Sequence, residues 1–135
     1  AGLKHLNRLE LVLARMEWQD AGIFDALLAD GNGDVVSGTM SNVFALQGQT
    51  LLTPPVDRCG IAGVMRAVVL REAAAALGLT VSVARMSRAA LLAADSIFLT
   101  NARIGILPVR EVAQHCFAIM PAVVDLMRQV ERLDA

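Results

Sequence analysis

The strongest constraint on the fold is a short stretch that cannot continue straight. Asp30-Gly31-Asn32-Gly33-Asp34 places two glycines, an asparagine and two aspartates between apolar runs. These residues enter left-handed or tightly turned backbone at low cost, so they dictate a chain reversal. Residues 23–29 before it and Val35-Val36 after it then read as the arms of a hairpin. A second reversal is expected at Gln47-Gly48-Gln49, between strands at residues 42–46 and 50–53. Pro54-Pro55 ends that pairing, because proline cannot donate to a strand ladder.

Other stretches carry helical periodicity. Leu6, Leu9, Val12, Leu13 and Met16 follow the 3.6-residue period, which predicts an amphipathic helix over residues 7–19. Asn7 is placed to cap it, and Glu10 three residues later completes a capping box. The longest helix is expected at residues 62–77, stopped by Gly78. Residues 80–84 alternate as a short strand, and Ser87 caps a short helix through Ala93. Residues 96–100 and 104–107 read as apolar strands joined by the polar knot Thr100-Asn101-Ala102-Arg103. Pro121 suits the first turn of a last helix that runs to about Arg132. Strands and helices intermix without a strict βαβ repeat. Residues 1–135 are long enough for a single domain with a real core.

Charge and hydropathy narrow the function. A net charge of -1 offers no basic field for nucleic acid and no polybasic patch for a membrane surface. Hydrophobic residues make up 56% of the chain and the mean hydropathy is +0.55. That is above the usual level for globular domains, so part of the excess is expected on a surface that another domain or subunit buries. A membrane span does not explain it: Arg66, Arg71, Glu72, Arg85 and Arg88 interrupt the apolar middle of the chain. The chain starts at Ala1 and shows no signal-peptide pattern, so the natural N-terminus is expected to lie upstream. Cys59 and Cys116 are far apart and form no C-x-x-C pair, which suits free thiols in a reducing cytoplasm.

Lys4 is the only lysine, beside eleven arginines. A desolvated lysine can form an imine with a carbonyl, whereas arginine cannot. Lys4 lies among Leu3, Leu6 and Leu9. It reads either as a desolvated amine for such chemistry or as a surface lysine with a snorkelling stem. Ser37-Gly38-Thr39-Met40-Ser41-Asn42 follows a strand with small, hydroxyl-bearing residues that let backbone approach a ligand, or that form an ordinary turn. Cys59-Gly60-Ile61-Ala62-Gly63-Val64-Met65-Arg66 runs a glycine-bearing loop into a helix start. Free amides and the helix dipole make an anion site there, unless it is a plain junction. Thr100-Asn101-Ala102 supplies further donors at a strand end, or caps a turn. His5 and His115 are too few for a metal site, and no G-x-S-x-G elbow is present.

These segments fall in one order along the chain. Gly2-Leu3-Lys4-His5-Leu6-Asn7-Arg8, Ser37 to Phe44, Thr53-Pro54-Pro55-Val56-Asp57-Arg58-Cys59-Gly60-Ile61-Ala62-Gly63-Val64-Met65-Arg66, and Phe98-Leu99-Thr100-Asn101 through Pro108-Val109 together resemble the C-terminal domain of the class IV, fold-type IV pyridoxal-phosphate enzymes. The Lys-His-Leu-Asn-Arg run and the stretch from Thr53 to Arg66 are most similar to the lyase branch, which releases pyruvate and 4-aminobenzoate, a folate precursor. The branch of aminotransferases acting on branched-chain or D-amino acids is the alternative. A non-catalytic assembly domain is another.

The resemblance implies an α/β fold with a mixed, strongly curved sheet or partial barrel flanked by helices. It implies pyridoxal 5'-phosphate held by Lys4, which would also shuttle protons. The backbone N–H groups of Val64 and Met65, beside Gly63, would grip the phosphate. Ile61 would pack on the ring, and Asn101 and Ala102 would close the phosphate side. Thr39, Met40 and Ser41 would border the small-molecule substrate. Ser37 stands where the family commonly has a glutamate beside the ring nitrogen, so a neutral hydroxyl replaces a charge. Ala102 offers only backbone where the aminotransferases tend to have a hydroxyl. The resemblance also implies a missing N-terminal domain, a homodimer and a cytoplasmic location.

Overall fold

The computed structural model describes residues 1–134. The first hairpin forms where the turn residues demand it. β1 (Leu27–Ala29) pairs antiparallel with β2 (Asp34–Gly38). Gly33 takes φ +84, and Asp30 Oδ1 accepts the amides of Asn32 at 2.9 Å and Asp34 at 3.1 Å. β3 (Asn42–Gln47) and β4 (Thr50–Thr53) form the second hairpin. Residues 64–76 follow as one helical rod: α2 (Val64–Val68), a π-helical segment Val69–Ala73, and α3 (Ala74–Ala76). Gly78, at φ +67, ends the rod. The amides of Gly78 and Leu79 donate to Ala75 and Ala74 carbonyls at 3.1 and 2.9 Å, a Schellman closure. The rod returns the chain to β5 (Thr80–Val83), parallel to β4.

β6 (Met86–Ser87) joins the first hairpin to make a three-stranded sheet, β1-β2-β6. Ser87 Oγ then accepts the Ala90 amide at 3.1 Å and caps α4 (Arg88–Leu92), as its position in the sequence predicts. β7 (Ser96–Asn101) and β8 (Gly105–Val109) complete a five-stranded sheet in the order β5-β4-β3-β7-β8. α5 (Pro121–Asp134) closes the described chain.

Both faces of the five-stranded sheet are covered, which explains its near-continuous apolar strands. The period of two divides β3 and β7 between two cores. Phe44, Leu46 and Phe98 pack with Met65, Val69, Ala73, Leu126 and Val130 under the rod and α5. Val43, Ala45, Ile97 and Leu99 pack the other way, with Val35, Met86 and Leu91. Phe44 and Phe98 stack with centroids 4.9 Å apart. The fold is thus the expected mixed α/β arrangement, built as a five-stranded and a three-stranded open sheet, with one small separate hairpin and few helices.

Three local expectations need correction. The first helix, α1, covers Leu9–Arg15 rather than residues 7–19. Arg8, not Asn7, occupies the cap position and no side chain caps it, so the Asn7–Glu10 box does not form. No residue of α1 is buried, and Leu3, Leu6, Leu9, Val12, Leu13 and Met16 are exposed, Leu6 fully at 100%. The apolar face that the sequence displays therefore meets nothing within the described residues to lengthen or fix the helix. The strand expected at residues 23–29 is shorter, because Asp25 leaves the ladder to bind the chain elsewhere. A further hairpin, β9 (Glu111–Val112) with β10 (His115–Cys116), was not signalled. It turns through Ala113 and Gln114 at φ 48 and 68, positions that usually call for glycine or asparagine.

Candidate functional site

The four segments singled out in the sequence come together at the opening of the 64–76 rod. The N-terminal segment docks first. Gly2 forms a parallel bridge with Ile61: its amide donates to Gly60 O and its carbonyl accepts from the Ala62 amide, both at 2.9 Å. Lys4 is therefore tethered two residues from a bond to the loop that precedes α2. Asn42, at the start of β3, reaches the same loop through Nδ2 to Ile61 O at 2.8 Å. Asn42 also pairs with Thr100 across β3 and β7, and Asn101 Nδ2 donates to Met40 O at 3.1 Å. Arg8 Nη2 reaches Thr39 O at 3.4 Å.

The helix opening leaves its first amides without partners in the helix. The first helical bond runs from the Ala67 amide to Gly63 O at 3.0 Å. The amides of Val64, Met65 and Arg66 therefore lie outside the helix's own ladder, and Gly63 offers no side-chain cap. Gly63 is required here by space rather than by conformation. Its φ of -64 suits any residue, but an added Cβ would run into Asn42 Oδ1. Val64 is exposed and Met65 buried. Ile61 is half-buried beside the Gly2 bridge.

Arg66 is buried, with Nη2 donating to Pro54 O at 3.0 Å and Nε without a partner among the described residues. Burial pushes its ionisation down from the ordinary arginine range.

The remaining predicted residues divide by what their side chains are free to do. Lys4 is exposed, so this chain does not desolvate it, and His5 is exposed beside it. Ser37 is buried in β2 opposite Leu28. Met40 projects outward at 46% exposure. Thr39 and Ser41 are buried, and their hydroxyls turn inward to Asp25. Asn101 uses its side chain within its own turn as well: Oδ1 accepts the amides of Arg103 and Ile104 at 2.9 Å. Asn101 Oδ1 is thus fully used while Nδ2 keeps one N–H, and Ala102 has only backbone groups to offer. An open hollow of about 550 Å³ lies between α1 and the Thr39-Met40 turn, bordered by Leu6, Arg8, Val12, Arg15 and Met16. A larger one, about 1350 Å³, opens between residues 20–29 and the β8–β9 region and contains none of the predicted site residues.

Sequence reasoning missed Asp25 and Arg8. Asp25 left a faint signal, a lone acid inside the apolar run Ile23-Phe24-Asp25-Ala26-Leu27. Among the described residues no three His, Cys, Asp or Glu side chains group as a metal site, and Cys59 and Cys116 are free. No helix among the described residues is long and apolar enough to cross a membrane.

Uncapped helix amides can take a phosphate, and the sole lysine stands two residues from the bond that ties its segment to that loop. These donors suit pyridoxal phosphate in kind.

Comparison with known proteins agrees. The amino-transferase class IV family pattern matches residues 1–112. An aminodeoxychorismate lyase of Vibrio harveyi is 38% identical over 109 residues, which is 81% of this chain and 40% of that protein. The branched-chain-amino-acid aminotransferase of Escherichia coli (strain K12) is 30% identical over 106 residues, 78% of this chain and 34% of that protein. The crystal structure of 4-amino-4-deoxychorismate lyase from Pseudomonas aeruginosa superposes with a TM-score of 0.93 at 44% identity, over 98% of this chain and 48% of that one. The chain spans less than half the length of these relatives.

Proposed function

Because this chain belongs to the amino-transferase class IV family, we propose that it is the cofactor-anchoring part of an aminodeoxychorismate lyase, which converts 4-amino-4-deoxychorismate to 4-aminobenzoate and pyruvate. One observation carries this reading: the sole lysine is tied, through the Gly2–Ile61 bridge, to the loop that opens the 64–76 rod. Its likeness to the two lyases at 38% and 44% identity supports the reaction.

In this reading Lys4 would hold pyridoxal 5'-phosphate through its amine. The amides of Val64 and Met65 would take the phosphate, with the backbone of Asn101 and Ala102 on its other side. Ile61 would lie against the ring and Ser37 beside its nitrogen. The bound group supplies the electron withdrawal that acidifies the ring carbon bearing the substrate's amine. Lys4 would accept the proton from this carbon as general base. The carbon–oxygen bond to the side chain would break, the side chain would leave as enolpyruvate and take up a proton to become pyruvate, and the carbocycle would become aromatic. Ser37 leaves the ring without a carboxylate partner, which an aromatising elimination tolerates better than transamination does.

Two further parts belong to the proposal. The exposed apolar face around Leu3, Leu6, Leu9 and Leu13 is covered in the full-length protein by a preceding domain or a second copy in a homodimer, and that cover desolvates Lys4. These 135 residues alone are therefore inactive or nearly so, and the enzyme works in the cytoplasm on a free metabolite.

The test is the full-length gene product incubated with 4-amino-4-deoxychorismate and pyridoxal phosphate. Formation of 4-aminobenzoate and pyruvate supports the lyase. Glutamate formed instead from an amino acid and 2-oxoglutarate would assign it to the aminotransferases. Borohydride reduction and peptide mapping would place the cofactor on Lys4, whereas no adduct would leave only an assembly role.

A further inference from the structure

Asp25 lies outside every segment that suggested chemistry, yet it holds one of them in shape. Its Oδ1 accepts the amides of Ala26 at 2.8 Å and Thr39 at 2.9 Å, and the Thr39 hydroxyl at 2.6 Å. Its Oδ2 accepts the Ser41 hydroxyl at 2.8 Å. Thr39 and Ser41 are both buried, and Asp25 is half-buried at the edge of the larger hollow. Gly38 completes the knot: an added Cβ would run into Ser41 Oγ and Asp25 Oδ2 together.

An ionised carboxylate can only accept, and each hydroxyl has one proton to give. Asp25 takes both protons. The hydroxyls of Thr39 and Ser41 are thereby committed inward, and the turn is locked around the carboxylate. The outward groups of the same turn are fixed to the other site segments, Thr39 O by Arg8 and Met40 O by Asn101. Asp25 thus braces this turn from the inside, alongside the backbone bonds from Gly38 N to Ser41 O at 2.9 Å and from Thr39 N to Ala26 O at 3.1 Å.

We infer that Asp25 is the positioning residue of the Thr39–Ser41 turn. This rests on the reading above that the turn borders the substrate.

The test uses the full-length protein with pyridoxal phosphate. Asp25→Asn keeps the shape but turns one acceptor into a donor, which reverses the proton on a facing hydroxyl. The expected result is a KM for 4-amino-4-deoxychorismate raised about tenfold, the equivalent of one charge-assisted hydrogen bond, with kcat changed much less. Amide hydrogen exchange at residues 38–42 should quicken while the rest of the chain keeps its protection. Ser41→Ala, which leaves the carboxylate in place, should give a smaller KM rise, and the double variant should be no worse than Asp25→Asn alone. Unchanged exchange at residues 38–42, or an equal fall of kcat with no rise in KM, would overturn the inference. If the wild type forms no 4-aminobenzoate, the lyase reading fails by itself, and the exchange measurement still decides whether Asp25 positions the turn.

Discussion

Replacing Gly63 with alanine would test how the helix opening is held. The backbone tolerates the change, since φ -64 and ψ 143 are ordinary extended values. The damage comes entirely from the new Cβ, which meets Asn42 Oδ1. Asn42 must move, and its 2.8 Å bond to Ile61 O is lost. That bond is worth about 1 kcal/mol, and forcing a methyl group into a filled site adds about 1–2 kcal/mol. Gly63→Ala should therefore destabilise by about 2–3 kcal/mol. The melting midpoint should fall by about 5–10 °C, at about 2–4 °C per kcal/mol for a protein of this size class.

Asn42→Ala alone should cost about 1 kcal/mol through the lost bond. The double variant supplies the decisive comparison, because with the amide gone the alanine at 63 has room. Its stability should match Asn42→Ala, giving a coupling of about 2–3 kcal/mol between the two positions. Borohydride-trapped cofactor on Lys4 should fall in Gly63→Ala and recover in part in the double variant. Strict additivity of the two losses would refute the steric argument.

Lys4→Arg keeps the charge but should abolish the borohydride-trapped adduct and lower turnover by several orders of magnitude, read by mass mapping and by 4-aminobenzoate release. Gln114→Gly, at φ 68, should relieve left-handed strain and stabilise by up to about 1 kcal/mol in urea unfolding. Phe44→Ala removes one half of the stacked pair in the rod-side core and should cost about 3–5 kcal/mol. The Asp30 carboxyl is held below the ordinary carboxylate range, first by the Asn32 amide and also by that of Asp34. Its ionised form is the one the turn stabilises, so its contribution is complete above the ordinary aspartate range and disappears as pH falls through the lowered value. The stability gap between wild type and Asp30→Asn should therefore close on acidification, measured by urea unfolding across that range.

Legibility tracks the distance over which a signal acts. The Asp30–Asp34 turn, the stop at Gly78 and the Ser87 cap were readable because each is decided by atoms within a few residues. The Asn7–Glu10 box failed despite its correct spacing, since local chemistry cannot hold a helix whose apolar face has no partner within reach. The β9–β10 hairpin escaped because Ala113 and Gln114 carry no turn signal. Asp25 escaped because its partners lie 14 and 16 residues away.

By itself the chain of residue types determined the mixed α/β character, the order of most elements, and which segments could carry an amine or grip an anion. Periodicity and turn chemistry are local and survive in a one-dimensional record. Only the tertiary structure decided that the Gly2 segment, the turn at residues 38–41, the loop before the rod and the end of β7 are bound to one another. Only it decided that the hydroxyls of that turn face Asp25 rather than a ligand. Hydrogen bonds are directional and short, so which acceptor receives a given proton is settled by three-dimensional neighbours that no spacing along the chain records.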